Sequence, residues 1–190
     1  MDRECPHYYI ERTDESVPNT TKLIEYIRSL PPSPGVFYGA LPGSHRSHME
    51  TSADGSPYVY PILTPRFAIS TTDELIASIG QLAASDPSLA IQTHISENPA
   101  EVLYTKTLFS RLSTEGKPIT YAGVYDHYGL LRDNTILAHA VHLEEQELEL
   151  VRERRSGISH CPTSNFNLTS GVAKVGVMLD KKIKAGPPAS

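Results

Sequence analysis

A chain of 190 residues, with 39% hydrophobic and 21% charged residues, is typical of a globular protein that buries the core of one domain. The formal net charge of −5 argues against nucleic acid as a partner, because phosphate binding needs clustered lysine and arginine. The sequence lacks an apolar run near the ~20 residues of a membrane span and does not begin like a signal peptide. Two cysteines cannot form a disulfide framework, so we expect a cytoplasmic protein.

The first predicted element is a helix that opens at residues 14–18, where cap candidates precede a proline in the first turn. Its apolar residues recur at helical spacing, at Leu23, Ile24, Ile27 and Leu30. The segment 31–57 is rich in Ser, Gly, Pro and His, and we interpret it as a disordered insertion. It contains His45 and His48, which could bind a metal, but a solvated loop fits this composition better.

A predicted strand at 58–63 leads to a helix whose capping box is residues 71–74. The next strand, 89–93, ends at His94, and Asn98 then caps a helix with proline at its first position. That helix is expected to bury an apolar face made of Val102, Leu103, Leu108 and Leu112.

A helical patch at 124–131 precedes a third strand at 135–138, which ends in His139. A charged helix then spans 143–155. We expect its buried side to be Leu143, Leu148 and Val151. Its glutamates are interpreted as a solvated face, namely Glu144, Glu145, Glu147 and Glu149.

A fourth strand at 157–159 ends in His160, and a last helix lies near 172–181. The tail 185–190 diverges from the alternating pattern. Strands that alternate with helices indicate an α/β fold with right-handed βαβ units and a parallel sheet.

Chemically versatile residues follow the predicted strands at the points where the strands end, at Arg66, His94 with Glu97, His139 and His160. In α/β folds the carboxyl ends of parallel strands are where active sites are built. A histidine at a strand end can bind zinc, and a glutamate three residues later can move protons for the zinc-bound water. The residues alone therefore favour a metal hydrolase site.

Each of these residues also has a structural interpretation. His139 could be a core histidine bonded to the backbone, and His142 fits that role better. His160 could support the site or the fold without touching substrate, and Arg66 could be a surface charge. Cys161 is interpreted as a small buried residue.

Four motifs stand in order along the chain, at 64–67, 92–97, 138–143 and 160–165. Together they resemble the guanine deaminase family of the amidohydrolase superfamily, particularly its fungal members. Residues 1–6 resemble the stretch after that family's third barrel strand, and residues 125–131 resemble the segment before the sixth. The resemblance covers most of the chain apart from 31–57 and the last few residues.

The resemblance implies a TIM-like (β/α)8 barrel with one zinc that converts guanine and water to xanthine and ammonia. His94 would be a zinc ligand that also touches the substrate. Glu97 would bind the purine and shuttle a proton to it, and His139 would orient the attacking hydroxide. Arg66 and Phe67 would bind guanine. The resemblance also implies a homodimer.

The chain departs from the family pattern in two places. The first-strand His-x-His pair and the eighth-strand Gly-x-Gly-Thr-Asp motif are both missing from the sequence. We therefore expect residues 1–190 to form a single partial barrel of about strands four to seven, supplying His94 as its one zinc ligand and inactive by itself.

Two alternatives to guanine deamination remain open. The chain could belong to another amidohydrolase that acts on a purine, pterin or triazine. It could also be a non-catalytic partner of a full-length deaminase.

Overall fold

The computed structural model describes residues 1–30, 59–114 and 116–186. The chain divides into two compact units, one of Met1–Val17 with Ile62–Ser190 and the other of Pro18–Pro61. The predicted insertion at 31–57, with His45 and His48, lies outside the described residues, as does 187–190. The domain boundaries stay a prediction. None of the described helices is long and apolar enough to cross a membrane.

Five parallel strands form one sheet in the order in which they occur along the chain. They are β1 (Ile62–Leu63), β2 (Ala90–Ile95), β3 (Thr135–His139), β4 (Gly157–Ser159) and β5 (Lys184–Gly186). Because each strand pairs with the next one along the chain, every connection crosses over the same way, as in a barrel wall.

Helices occupy most of the connections between strands. They are α1 (Thr13–Ser29), α2 (Asp73–Ser85), α3 (Pro99–Leu108), α4 (Tyr121–His127), α5 (Glu145–Glu153), α6 (Pro162–Asn167) and α7 (Val175–Asp180). Short 3-10 turns span His7–Tyr9, Ala68–Ser70 and Ser110–Leu112. At Gly80 of α2, a Cβ atom would lie 2.1 Å from the carbonyl oxygen of Tyr128, so only glycine permits this approach to the end of α4.

The sheet has one buried and one open face. Side chains alternate along each strand, and one set is buried in the core, at Leu63, Ile91, Ile95, Leu137 and Ile158. The alternate positions Ile62, Gln92 and Ile136 are exposed. Buried aromatic residues complete the core, chiefly Phe109, Tyr121 and Tyr125.

The strands predicted at 89–93, 135–138 and 157–159 are confirmed, with β2 extending to Ile95 so that His94 lies within it. The strand predicted at 58–63 was too long, because only Ile62–Leu63 of its described residues pairs with β2. One α-helix and one strand were not predicted. These are α6 and the fifth strand β5, which takes in the start of the divergent tail.

Three local predictions were wrong. The capping box at 71–74 does not form, because the N-cap of α2 is Thr72, which accepts from the N–H of Leu75. In α3 the buried residues are Glu101 and Thr105, whereas Leu103 is 68% exposed. Glu147 is fully buried rather than solvated, and its carboxylate is stabilised there because it accepts two backbone N–H groups.

Candidate active site

The carboxyl ends of β1, β2 and β3 open into a cavity of about 570 Å³. Its lining includes Arg66, Phe67, His94, Glu97 and His139. These are all of the residues that the sequence assigned to catalysis, substrate or metal, and they come from three different strand ends. The cavity gathers them because parallel strands present their carboxyl ends at one edge of the sheet.

The imidazole of His94 is fixed by the main chain of the neighbouring segment. Its Nδ1 lies 2.7 Å from the carbonyl oxygen of Arg66, and its backbone N–H donates to the same oxygen at 3.0 Å. A carbonyl oxygen only accepts, so Nδ1 carries the hydrogen and Nε2 keeps its lone pair. That is the arrangement of a histidine prepared to bind a metal through Nε2.

His139 lies beside His94, with the two rings stacked at a centroid distance of 5.3 Å. The side chain is 5% exposed. Its backbone has φ = +72°, and Ala140 follows with φ = +51°. Left-handed backbone at two consecutive non-glycine residues is a strained arrangement of the kind found at functional sites.

The strain at the end of β3 is held by a matching turn at the end of β2. Ser96, with φ = +49°, accepts the N–H groups of both Val141 and His142 on its carbonyl oxygen. The N–H of Ala140 donates to Ile95. These main-chain bonds fix the two strand ends to each other, and with them the spacing of His94 and His139.

Glu97 stands between the histidines and helix α3. Its Oε1 lies 3.6 Å from His139 Nδ1 and is buried without a hydrogen-bond partner among the described residues. The backbone N–H of Glu97 donates to Glu101 Oε2 at 2.9 Å. The other oxygen of Glu101 accepts from the buried Tyr121 hydroxyl at 2.7 Å. Burial, together with the charge of Glu101, raises the pKa of Tyr121, which keeps it a donor.

A single buried hydroxyl, that of Tyr125, connects the β1 and β2 sides of the cavity. It accepts from the N–H of Ala68 at 3.0 Å, donates to the carbonyl of His94 at 2.8 Å and shares a 2.9 Å bond with Thr93. Burial raises the pKa of this hydroxyl far above its usual value, so it stays protonated. The sequence does not reveal this role of Tyr125, because an aromatic residue at helical spacing is ordinarily interpreted as core.

The first residues of the chain support the turn that follows Phe67. The guanidinium of Arg3 donates to the carbonyls of Ala68 and Ile69 and lies over the Phe109 ring at 5.3 Å. Asp2 accepts from the N–H and the hydroxyl of Thr72. Arg3 and Asp2 therefore fix the turn that follows Arg66 and Phe67, while the side chain of Arg66 is exposed at the cavity.

The remaining singled-out residues have other positions. The Nε2–H of His142 donates to the carbonyl oxygen of Ser170 at 2.7 Å, because a carbonyl oxygen only accepts, and this bond is structural. His160 does not line the cavity; its backbone N–H donates to the carbonyl oxygen of Gly186 on β5. Cys161 is partly exposed rather than buried. Two residues of the 160–165 motif reach the site: Ser164 lines the cavity, and Asn165 Oδ1 lies 2.8 Å from His139 Nδ1.

A zinc site needs three protein ligands in catalytic enzymes. Among residues 1–30, 59–114 and 116–186, no group of three or more His, Cys, Asp or Glu side chains is arranged to hold a metal. His94 fits as one ligand through its Nε2, but the described residues do not complete the site.

Residues 12–186 match the family model described as the amidohydrolase family. The chain belongs to the amidohydrolase family. This assignment accounts for the parallel, sequentially ordered sheet and for a cavity at its carboxyl edge.

Three proteins of known or assigned activity are similar to this chain. The probable guanine deaminase of Schizosaccharomyces pombe is 42% identical over 187 residues, which is 98% of this chain and 30% of that protein. The guanine deaminase of Dictyostelium discoideum is 38% identical over 186 residues, covering 98% and 34%. The crystal structure of guanine deaminase from C. acetobutylicum with guanine in its active site matches with a TM-score of 0.77 and 31% identity, covering 97% and 37%. The chain thus spans about a third of the length of these amidohydrolases.

Proposed function

We propose that this chain carries the guanine-binding and proton-transfer part of a guanine deaminase site. The observation that supports it most directly is the single cavity that gathers Arg66, Phe67, Glu97 and His139 from three strand ends. Relatives named guanine deaminase align with nearly the whole chain. The reaction in question adds water to guanine and releases xanthine and ammonia.

The proposed roles follow from chemistry and position. Arg66 is a planar donor at the cavity, suited to the carbonyl and ring nitrogens of a purine, and Phe67 supplies an apolar wall. Glu97 has a buried carboxylate oxygen with no hydrogen bond among the described residues, which leaves it able to accept a proton from water and pass it to the ring. His139, 3.6 Å away, orients the attacking water.

Zinc enters the proposal through His94, whose Nε2 is free to serve as a ligand. A bound zinc ion would polarise water and lower its pKa. The described residues do not form a complete zinc site. Residues outside the described ones would be needed to complete the set of ligands.

A segment exchange tests the proposal. Residues 12–186 would replace the matched segment of the S. pombe relative, in which the aligned region is 42% identical. We expect the purified chimera to convert guanine to xanthine, measured by the change in ultraviolet absorbance, and to leave adenine unchanged.

The parent S. pombe protein prepared in parallel is the matched control. A chimera that unfolds cooperatively and binds zinc, yet forms no xanthine while its parent does, contradicts the proposal. A chimera that deaminates a pterin or triazine in preference to guanine would instead support one of those substrates.

A further inference from the structure

The environment of His139 contains two hydrogen-bond acceptors that compete for one ring nitrogen. Asn165 Oδ1 lies 2.8 Å from Nδ1, and Glu97 Oε1 lies 3.6 Å from the same atom. Only the shorter distance is a hydrogen bond. The amide therefore takes the bond that the carboxylate would otherwise receive.

Asn165 is built to present that oxygen. It is 1% exposed, and its backbone is held at both ends, by a bond from its N–H to Cys161 and by one from Ser170 to its carbonyl. Its Nδ2 has no hydrogen-bond partner in the described part of the chain. A buried amide that leaves its donor side unused costs free energy, so its position is explained by the acceptor side.

The unused oxygen of Glu97 completes the arrangement. Glu97 Oε1 is buried without a hydrogen bond among the described residues although an imidazole stands 3.6 Å away. A bond from His139 would hold this carboxylate and reduce its ability to exchange a proton with water. Asn165 prevents that bond.

We propose that Asn165 is a positioning residue that fixes the Nδ1–H tautomer of His139, thereby pointing the Nε2 lone pair at the water and leaving Glu97 uncommitted for proton transfer. An amide oxygen accepts and does not donate, so the bond to Asn165 requires the hydrogen on Nδ1. This inference rests on the proposed function for its consequence, but the tautomer itself is a property of the chain.

The test is nuclear magnetic resonance of the full 190-residue chain with 15N-labelled histidine. Long-range 1H–15N correlations report the tautomer of a neutral imidazole, so the spectra are recorded at a pH well above ~6.5, the pKa of an unperturbed histidine. A His139→Gln chain assigns the signals. We expect His139 to carry its hydrogen on Nδ1, and an Nε2–H tautomer in the unaltered chain would overturn the proposal, since Asn165 would then be donating.

Two variants of the same size sharpen the measurement. Asn165→Leu removes the acceptor, and we expect the His139 signals to move to the Nε2–H pattern or to a mixture of both. Asn165→Asp keeps an acceptor at the same place and should restore the Nδ1–H pattern. An unchanged tautomer in a folded Asn165→Leu chain would contradict the proposal, and if that variant does not fold, the unaltered chain and Asn165→Asp still decide it.

The tautomer is independent of turnover, which separates this inference from the proposed function. If His139 shows the expected tautomer but the chimera does not deaminate guanine, the positioning role of Asn165 stands and the assignment of guanine as substrate is wrong.

Discussion

Two glutamates of this chain show how a carboxylate can serve either structure or chemistry. Glu147 in α5 is completely buried, and each of its oxygens accepts a backbone N–H, from Ala122 at 2.9 Å and from Glu144 at 2.9 Å. Glu97, at the cavity, keeps a buried oxygen with no hydrogen bond among the described residues. Glu147 therefore joins α4 to α5 with both of its oxygens hydrogen-bonded, whereas Glu97 at the cavity keeps one buried oxygen free of hydrogen bonds among the described residues.

The difference teaches that burial alone does not identify a reactive group. Burial raises the pKa of Glu147, although its two backbone hydrogen bonds oppose this shift. A perturbed pKa is often used to find active sites. The raised pKa of Glu147 belongs to a structural carboxylate, whereas the hydrogen-bond count of each oxygen identifies the one at the cavity.

The largest expected effect comes from Glu97→Gln in the active chimera. The amide keeps the shape of the side chain but cannot take a proton from water, so turnover should fall by about 10²–10⁴. Stability should barely change, because the altered oxygen has no hydrogen bond to lose in the described structure. Steady-state kinetics and urea unfolding of the same preparation measure both quantities.

A Glu97→Gln chimera that deaminates guanine at a near-normal rate would remove Glu97 from the mechanism. Zinc content is measured alongside, since loss of metal would mimic loss of the proton carrier.

Arg66→Ala should act on binding rather than on chemistry. Hydrogen bonds to a charged group contribute about 1.5–3 kcal/mol, and those to bound guanine form before the reaction, so KM should rise roughly 10- to 150-fold with kcat much less affected. Arg66→Lys is the matched control. It keeps the charge without the planar donor pair, so its KM should lie between those of the unaltered chimera and Arg66→Ala. A drop confined to kcat would mean that Arg66 acts in the transition state instead.

Glu147→Gln should reverse the pattern seen at Glu97. An amide offers one acceptor where two N–H groups need one each, so we expect the free energy of unfolding to fall by about 1–3 kcal/mol, with turnover per folded molecule unchanged. Urea unfolding measures this. Glu153→Gln on the exposed side of α5 should stay within about 0.5 kcal/mol of the original chain; an equal loss in both variants would show that Glu147 is no brace.

The smallest effect concerns Asp2, a partly exposed carboxylate. Partial burial works to raise its pKa, but hydrogen bonds from Thr13 and Thr72 outweigh it and hold the pKa below the usual value. A lowered pKa in the folded state means that its contribution to stability is present above the unfolded value of ~3.9 and is lost as pH falls through the folded value.

Melting temperatures of the original chain and of Asp2→Asn, followed from neutral to acid pH, test this. The gap between them should narrow as the medium becomes more acidic than about pH 4. Asp133→Asn, at an exposed position, is the control and should show no such convergence.

The sequence predicted the strand ends well and the helix faces poorly. His94 and His139 could be placed because each follows an apolar run that only a buried strand explains. The buried face of α3 could not be placed, because apolar periodicity ignores Glu101 and Thr105, the polar residues that this helix buries. Glu147 was assigned to solvent for the same reason.

The support around the site was out of reach for a further reason. Asn165 lies 26 residues from His139, and Tyr125 lies 57 residues from Ala68, so neither contact leaves a local pattern. Positive φ at His139 and Ala140 was equally invisible, since both residue types ordinarily adopt negative φ.

The Tyr125 brace has a consequence for how the cavity can change its substrate. Its hydroxyl contacts the backbone N–H of Ala68 in the loop and, on β2, the carbonyl of His94 and the hydroxyl of Thr93, so none of these bonds involves the side chains at 66 and 67. Residues that choose the ligand can therefore be exchanged while the spacing of the loop and the strand is retained. Recognition and architecture are separable here, which makes this loop a suitable place to graft new specificities onto the barrel wall.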